Sequence, residues 1–164
     1  ITLNPLSHLD PLGFLCLLLF GFGWAKPVMV NNRNFKNPRR DDAIVSLAGP
    51  AANFLVAALF TFFMKLAYTF LPYTLSNQII FEVLRGTVYI NLVLMVFNLI
   101  PIPPLDGHHI LGSIGGAKVW NFYYKYYDHL RFLLILLIVF RGVGTIIGPP
   151  INILYRFLMS TIFY

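Results

Sequence analysis

Apolar residues run along the chain in long blocks with short polar interruptions, and each block predicts an element. Leu12 to Trp24 is apolar but reaches only about 20 Å as a helix, against roughly 30 Å for the hydrocarbon core of a bilayer. Ala43 to Leu71 is long enough for a full span, and Lys65 near its far end can snorkel to the interface. After the polar turn PYTLSNQ, Gly86 to Ile102 predicts the next span, with Glu82 and Arg85 at its entrance. Leu130 to Ile147 and Ile151 to Tyr164 predict two more apolar segments, broken by Gly148, Pro149 and Pro150. Between the first two blocks, GWAKPVMVNNRNFKNPRRDD mixes β-branched residues with Asn and Pro and predicts an extended loop or hairpin at the membrane surface. The pattern predicts an all-α polytopic membrane protein with four to five membrane-embedded helices and a short strand-like surface loop. No internal repeat or low-complexity tract interrupts it.

Composition strengthens this picture. Of 164 residues 58% are hydrophobic and 11% charged, and the mean hydropathy is +0.73. Twelve Lys plus Arg and six Asp plus Glu scarcely furnish the charged surface a soluble domain needs, whereas lipid can take its place. The net charge of +6 does not indicate nucleic acid, because the basic residues lie between apolar runs rather than in one stripe with aromatics. They set a topology instead. Lys26, Arg33, Lys36, Arg39 and Arg40 fall in residues 25–42, and Lys118, Lys125 and Arg131 in residues 103–131, so both segments are expected on the cytoplasmic side, separated by two spans. Cys16, alone in LGFLCLLLF, excludes a disulfide framework and reads as a small buried thiol. Ile1 is preceded by neither an initiator Met nor a signal-peptide n-region, and the chain is expected to begin partway through a protein.

The chemistry concentrates in FNLIPIPPLDG, residues 97–107. Leu-Asp-Gly after a proline pair is, by itself, a turn. Yet an ionisable residue at the end of a span is also a functional candidate. Pro101, Pro103 and Pro104 remove backbone donors and break the helix, leaving carbonyls that lipid cannot satisfy. Irregular backbone of this kind belongs beside protein or a wet cavity. An Asp106 in such a cavity suits a metal ligand, an ion site or a proton relay.

Asn98, Pro101, Pro103, Leu105, Asp106 and Gly107 fit N-x-x-P-x-P-x-L-D-G, which resembles the third-ligand motif of the site-2 proteases, the intramembrane zinc metalloproteases. Gly49 and Asn53 in SLAGPAANF fit the G-x-x-x-N pattern of that family, and NPLSHLDPLG and GWAKPV resemble its compact bacterial branch. These motifs run in the family's order over about two thirds of the chain. The resemblance implies a zinc held by two His of an H-E-x-x-H helix and by Asp106, with the Glu of that helix as general base. Two neutral imidazoles and a carboxylate leave a fourth position for water, which zinc acidifies for attack on a peptide carbonyl. The sequence departs from the family in one respect: it contains no H-E-x-x-H, and its single Glu, Glu82, has no His nearby. In the family that helix precedes the NPLSHLDPLG-like segment, so the missing ligands are expected upstream of Ile1, and the 164 residues are expected to be inactive alone.

The other polar residues have plainer readings beside the functional ones. His108 and His109 follow Asp106 directly, but adjacent residues point in different directions on a regular backbone, and they read as interfacial histidines. His8 and Asp10 in SHLDP read as a turn, and the resemblance gives them no ligand role. Gly49 and Asn53 read as a close-packing site between helices that does not exclude a place at the rim of the active site. Asn98 either bonds an extended substrate strand or caps carbonyls freed by the prolines. GFG at 21–23 and GSIGG at 112–116 lack the residues of a phosphate loop and read as turns or packing sites.

The expected protein is therefore one membrane-embedded metalloprotease domain over residues 1–164. It would be a zinc-dependent endopeptidase of the bacterial plasma membrane, acting near the cytoplasmic face on transmembrane segments of membrane-protein substrates. Asp106 is the expected metal ligand, and Gly49, Asn53, Asn98, Pro101, Pro103 and Gly107 bind substrate or support the site. The expected partners are the lipid bilayer and a transmembrane substrate, with no nucleic acid. The alternative is a non-catalytic membrane protein: either a degenerate protease that binds transmembrane partners or a transporter in which Asp106 relays protons.

Overall fold

The computed structural model describes residues 9–11, 14, 15, 18, 35–72 and 74–163. The chain divides into two units, Ile1–Phe35 and Lys36–Tyr164, and all that follows concerns the second. Its four long helices are α1 (Pro38–Phe70), α2 (Leu75–Asn98), α3 (Asp106–Val139) and α4 (Gly142–Phe163).

Helix α1 starts five residues before the expected span. Pro38 occupies the first turn, where its missing N–H costs nothing, and Asp41 accepts a hydrogen bond from the Asn37 backbone N–H at 3.0 Å. The basic stretch at its start is thus helical from Pro38. The expected strand-like loop is corrected accordingly: no β-strand occurs among the described residues, and residues 25–34 lie outside them. The helix ends at Leu71, extended as the residue before a proline prefers.

Helix α2 begins well before the expected Gly86. Arg85 donates to Glu82 at 3.2 Å one turn away, so the two charges pair along the helix surface instead of marking its entrance.

The core lies between α1, α2 and α4. Ala57, Val88, Leu92, Val143, Ile147, Ile151 and Leu158 form one buried cluster. Three of its α4 members fall at spacings of four, on the stripe that also holds Leu158. This packing explains why Pro149 and Pro150, expected to break the chain, sit inside a continuous helix. Each proline forfeits one backbone hydrogen bond, and the buried stripe on either side holds the helix together across the gap. Thr61, buried on α1, donates to the Ala57 carbonyl at 2.8 Å and so leaves no orphan polar group in the core.

The expected count of spans is corrected as well. Among the described residues two helices, Pro38–Phe70 and Asn77–Asn98, are long and apolar enough to cross a membrane, and a third span results if α3 and α4 count as one broken span. The expected span from Leu130 to Ile147 is interrupted at Phe140 and Arg141, where the axis bends by 79°. The expected short segment from Leu12 to Trp24 lies largely outside the described residues. On α1 and α2 the large apolar side chains facing outward, Leu55 at 67% exposure and Ile79 at 71% among them, form a lipid-compatible surface that a soluble protein would bury.

Residues 103–131, expected on the cytoplasmic side, are mostly helical, and α3 folds back on itself within them. Gly116 has φ 69° and ψ −155°, a conformation essentially confined to glycine that would cost another residue about 1–3 kcal/mol. The reversal sets His108 against Tyr123 and Tyr127, ring centroids 5.4 and 6.3 Å apart. In a straight helix residues 108 and 127 would be about 28 Å apart. Gly112 meets the Trp120 ring, where a Cβ would come within 2.8 Å of it. GSIGG is therefore both a turn, at Gly116, and a packing site, at Gly112.

Candidate functional site

The prolines between α2 and α3 do what their chemistry dictates. After Asn98 the chain leaves the helix through short-range bonds, Ile100 N–H to Phe97 O at 3.1 Å and Ile102 N–H to Ile100 O at 2.8 Å. Leu105 N–H then reaches Ile102 O at 3.0 Å, and α3 starts at Asp106. Pro103 is fully buried in this turn. The carbonyls freed there find partners within the protein. Tyr123, returning on the second half of α3, donates its hydroxyl to Pro101 O at 3.0 Å. Leu105 O accepts from the His108 ring Nδ1 at 2.6 Å. His108 is thus a buried structural residue in an aromatic surround, not the interfacial histidine expected, because the fold-back of α3 covers it.

Gly107 explains itself by contact. A Cβ at this position would run into the backbone carbonyls of Leu99 and Ile100, so only glycine lets the first turn of α3 lie on the end of α2. Gly49 plays a similar part on α1. A Cβ there would stand 3.2 Å from Asp106 Oδ2, which shows that the α1 backbone passes directly beside the carboxylate. Asn53 follows one turn later on the same face of α1, half-buried. Asn98 is the last residue of α2 and also half-buried. Among the described residues neither Asn amide has a hydrogen-bond partner, so Asn98 does not cap the proline carbonyls from within this set.

Asp106 itself is half-buried and accepts no hydrogen bond from a described residue. The contrast with other acidic residues is informative. Asp41 serves its own helix start, Glu82 holds Arg85, and Asp42 accepts from both His109 Nδ1 at 3.1 Å and Ser113 Oγ at 3.3 Å. A carboxylate at the start of a helix, enclosed but uncommitted, retains its oxygen lone pairs for a ligand. It fits the part of one oxygen ligand to a metal. The described residues do not complete such a site, since no group of three His, Cys, Asp or Glu side chains among them could hold a metal ion. His109, whose Nδ1 is turned to Asp42, belongs to a contact between α1 and α3. His8 lies outside the described residues.

The structure thus brings Gly49, Pro101, Pro103, Asp106 and Gly107 to one end of the bundle. Sequence reasoning missed Asp42, Ser113 and Tyr123, which support the same end. None of the three carries a sequence signal of this role, because their partners lie 22, 67 and 71 residues away along the chain.

Known proteins resemble this chain in sequence. A model of "Peptidase family M50" matches residues 15–138. The chain is 40% identical over 116 residues to "Putative zinc metalloprotease YwhC" of Bacillus subtilis, covering 70% of this chain and 53% of that protein. Two proteins with the same designation are also similar. Rip2 of Mycolicibacterium smegmatis is 29% identical over 136 residues, covering 74% of this chain and 50% of its own. MJ0611 of Methanocaldococcus jannaschii is 39% identical over 101 residues, covering 61% and 49%. The chain spans about half the length of the curated relatives it matches. No solved structure gives a significant match.

Proposed function

Because the chain belongs to peptidase family M50, the site-2 protease family, we propose that it forms the aspartate-bearing part of an intramembrane zinc metallo-endopeptidase. The substrates in this reading are membrane proteins cut within a transmembrane segment, as in regulated intramembrane proteolysis. The observation that carries it is the Asp106 carboxylate, uncommitted among the described residues and set at a helix start by the proline turn beside Gly49. Asp106 is one protein ligand of the zinc. The other two ligands and the general base come from an H-E-x-x-H helix outside these 164 residues, so no catalytic residue is assigned within them. Zinc in such a site supplies a water acidic enough to attack a peptide carbonyl at neutral pH. Within this chain, Gly49 leaves room for a close approach to Asp106. The side-chain amides of Asn53 and Asn98 are available to the backbone of an unwound substrate, and Pro101, Pro103 and Gly107 hold the turn. Residues 1–164 act as a single membrane-embedded part of the enzyme.

The proposal is tested on the complete enzyme in detergent with a transmembrane peptide. Cleavage is expected to stop on treatment with a zinc chelator and to return with added zinc; cleavage by metal-stripped protein contradicts it. A non-catalytic relative that binds transmembrane partners is the second reading. Zinc that cannot be restored, together with retained binding of the peptide, would support that reading.

The orientation in this reading places residues 25–42 and 103–131 on the cytoplasmic side, with the site near that face. The contact of Asp42 with His109 supports a shared side, since it joins the start of α1 to the start of α3. Single cysteines at Asn34 and Lys118 are expected to resist a membrane-impermeant thiol reagent added to intact cells. Modification of either one overturns the topology.

A further inference from the structure

Asp42, near the start of α1, accepts hydrogen bonds from another helix. Its Oδ2 accepts from His109 Nδ1 at 3.1 Å and Ser113 Oγ at 3.3 Å, and its side chain is only 18% exposed. His109 and Ser113 are one turn apart on α3, and Asp106 precedes His109 by three residues, so all three share one face. On α1, Gly49 follows Asp42 by two turns, again on one face. Two close approaches thus join the helices: the hydrogen bonds from His109 and Ser113 to Asp42, and the passage of the α1 backbone at Gly49 beside Asp106. They are separated along α1 by about 10 Å. The Asp42 bonds tie one turn of α3 to a fixed point on α1, and the missing Cβ at Gly49 lets Asp106 come close there.

We propose that Asp42 is a positioning residue for the Asp106 carboxylate: by bonding His109 and Ser113 together it sets the register of α3 on α1 that brings Asp106 beside Gly49. The register itself follows from the contacts; its consequence for zinc rests on the protease reading above. A slip of one helical turn, about 5.4 Å, removes both Asp42 bonds and takes the carboxylate away from the only stretch of α1 backbone without a Cβ in its path. The arrangement resembles in purpose the outer partners of metal sites, which orient a ligand without touching the metal and whose loss weakens metal binding roughly 10–100-fold. Asp41 next door has a different task, since it bonds the Asn37 backbone of its own helix.

The test places spin labels on the complete protein at Val45 and Ile114, both exposed and neither in the site, in a background where Cys16 is replaced by serine. The unmodified register should give one narrow distance distribution. Asp42→Ala should broaden it or shift it by about one helical turn. Asp42→Asn, whose amide oxygen still accepts both hydrogen bonds, should restore it, and Asp41→Ala should leave it unchanged. An Asp42→Ala distribution identical to that of the parent overturns the proposal. The second arm follows loss of zinc to a chelator: Asp42→Ala should lose the metal at least about tenfold faster, with rescue by Asp42→Asn. An altered distance with unaltered zinc retention overturns the positioning role. Zinc in the parent that ignores Asp106→Ala sinks the protease reading instead, and the distance measurement still decides whether Asp42 sets the register.

Discussion

Replacing Asp106 by alanine in the complete enzyme is expected to abolish zinc-dependent cleavage while leaving the protein folded. The fold should survive because the carboxylate accepts no hydrogen bond from the described residues and is not part of the buried cluster between α1, α2 and α4. An uncommitted, half-buried charge is more often a cost to stability than a support, and its removal here should not lower the melting temperature. Activity should respond in the opposite way. Two imidazoles alone hold zinc weakly and leave it wrongly oriented to activate water. The loss should exceed the roughly 10–100-fold seen when only an outer partner of a metal ligand is removed. Turnover of a transmembrane peptide and thermal unfolding of the same preparation give both readings. Retained cleavage means that Asp106 is not a ligand; lost cleavage with lost folding means that its part is structural.

Gly107→Ala is expected to produce the largest stability defect of any single methyl addition in the turn. The added carbon points at the Leu99 and Ile100 carbonyls, which belong to the backbone at the end of α2 and cannot rotate away as a side chain could. Overpacking of this kind costs about 1–3 kcal/mol where neighbours can adjust, and rigid neighbours place this case at or above the upper end. Relief requires α3 to lift off α2, which carries Asp106 with it. Thermal unfolding in detergent should therefore show a marked fall in midpoint, and cleavage should fall even at temperatures where the variant is folded. Gly144→Ala is the control, because a Cβ at that position meets nothing within 4 Å. Equal midpoints for the two variants contradict this account of the turn.

The features legible in the sequence were those written in local residues. N-x-x-P-x-P-x-L-D-G sits where three prolines must end a helix and a glycine must allow close approach, and the family follows from it. The apolar block from Ala43 identifies α1 because a span needs length and hydropathy and little else. Features that depend on remote partners were not legible. Pro149 and Pro150 look like a break until the packing of Val143, Ile147 and Ile151 against α1 and α2 is known. In residues 103–131 the glycines and aromatic residues obscure the helical period. What makes them a folded-back helix is a single left-handed glycine and the cover it brings to His108. Asp42 carried no signal of its role, because its partners lie 67 and 71 residues away along the chain.

The zinc content of the complete enzyme and of the 164-residue chain, purified in the same detergent, tests the assignment of Asp106 most directly. The account predicts about one zinc per complete molecule, lost on Asp106→Ala, and well under one for the 164-residue chain, which offers a single carboxylate of three protein ligands. Stoichiometric zinc in the 164-residue chain that disappears when His108 and His109 are replaced would contradict it, and would place the metal in a centre built without H-E-x-x-H.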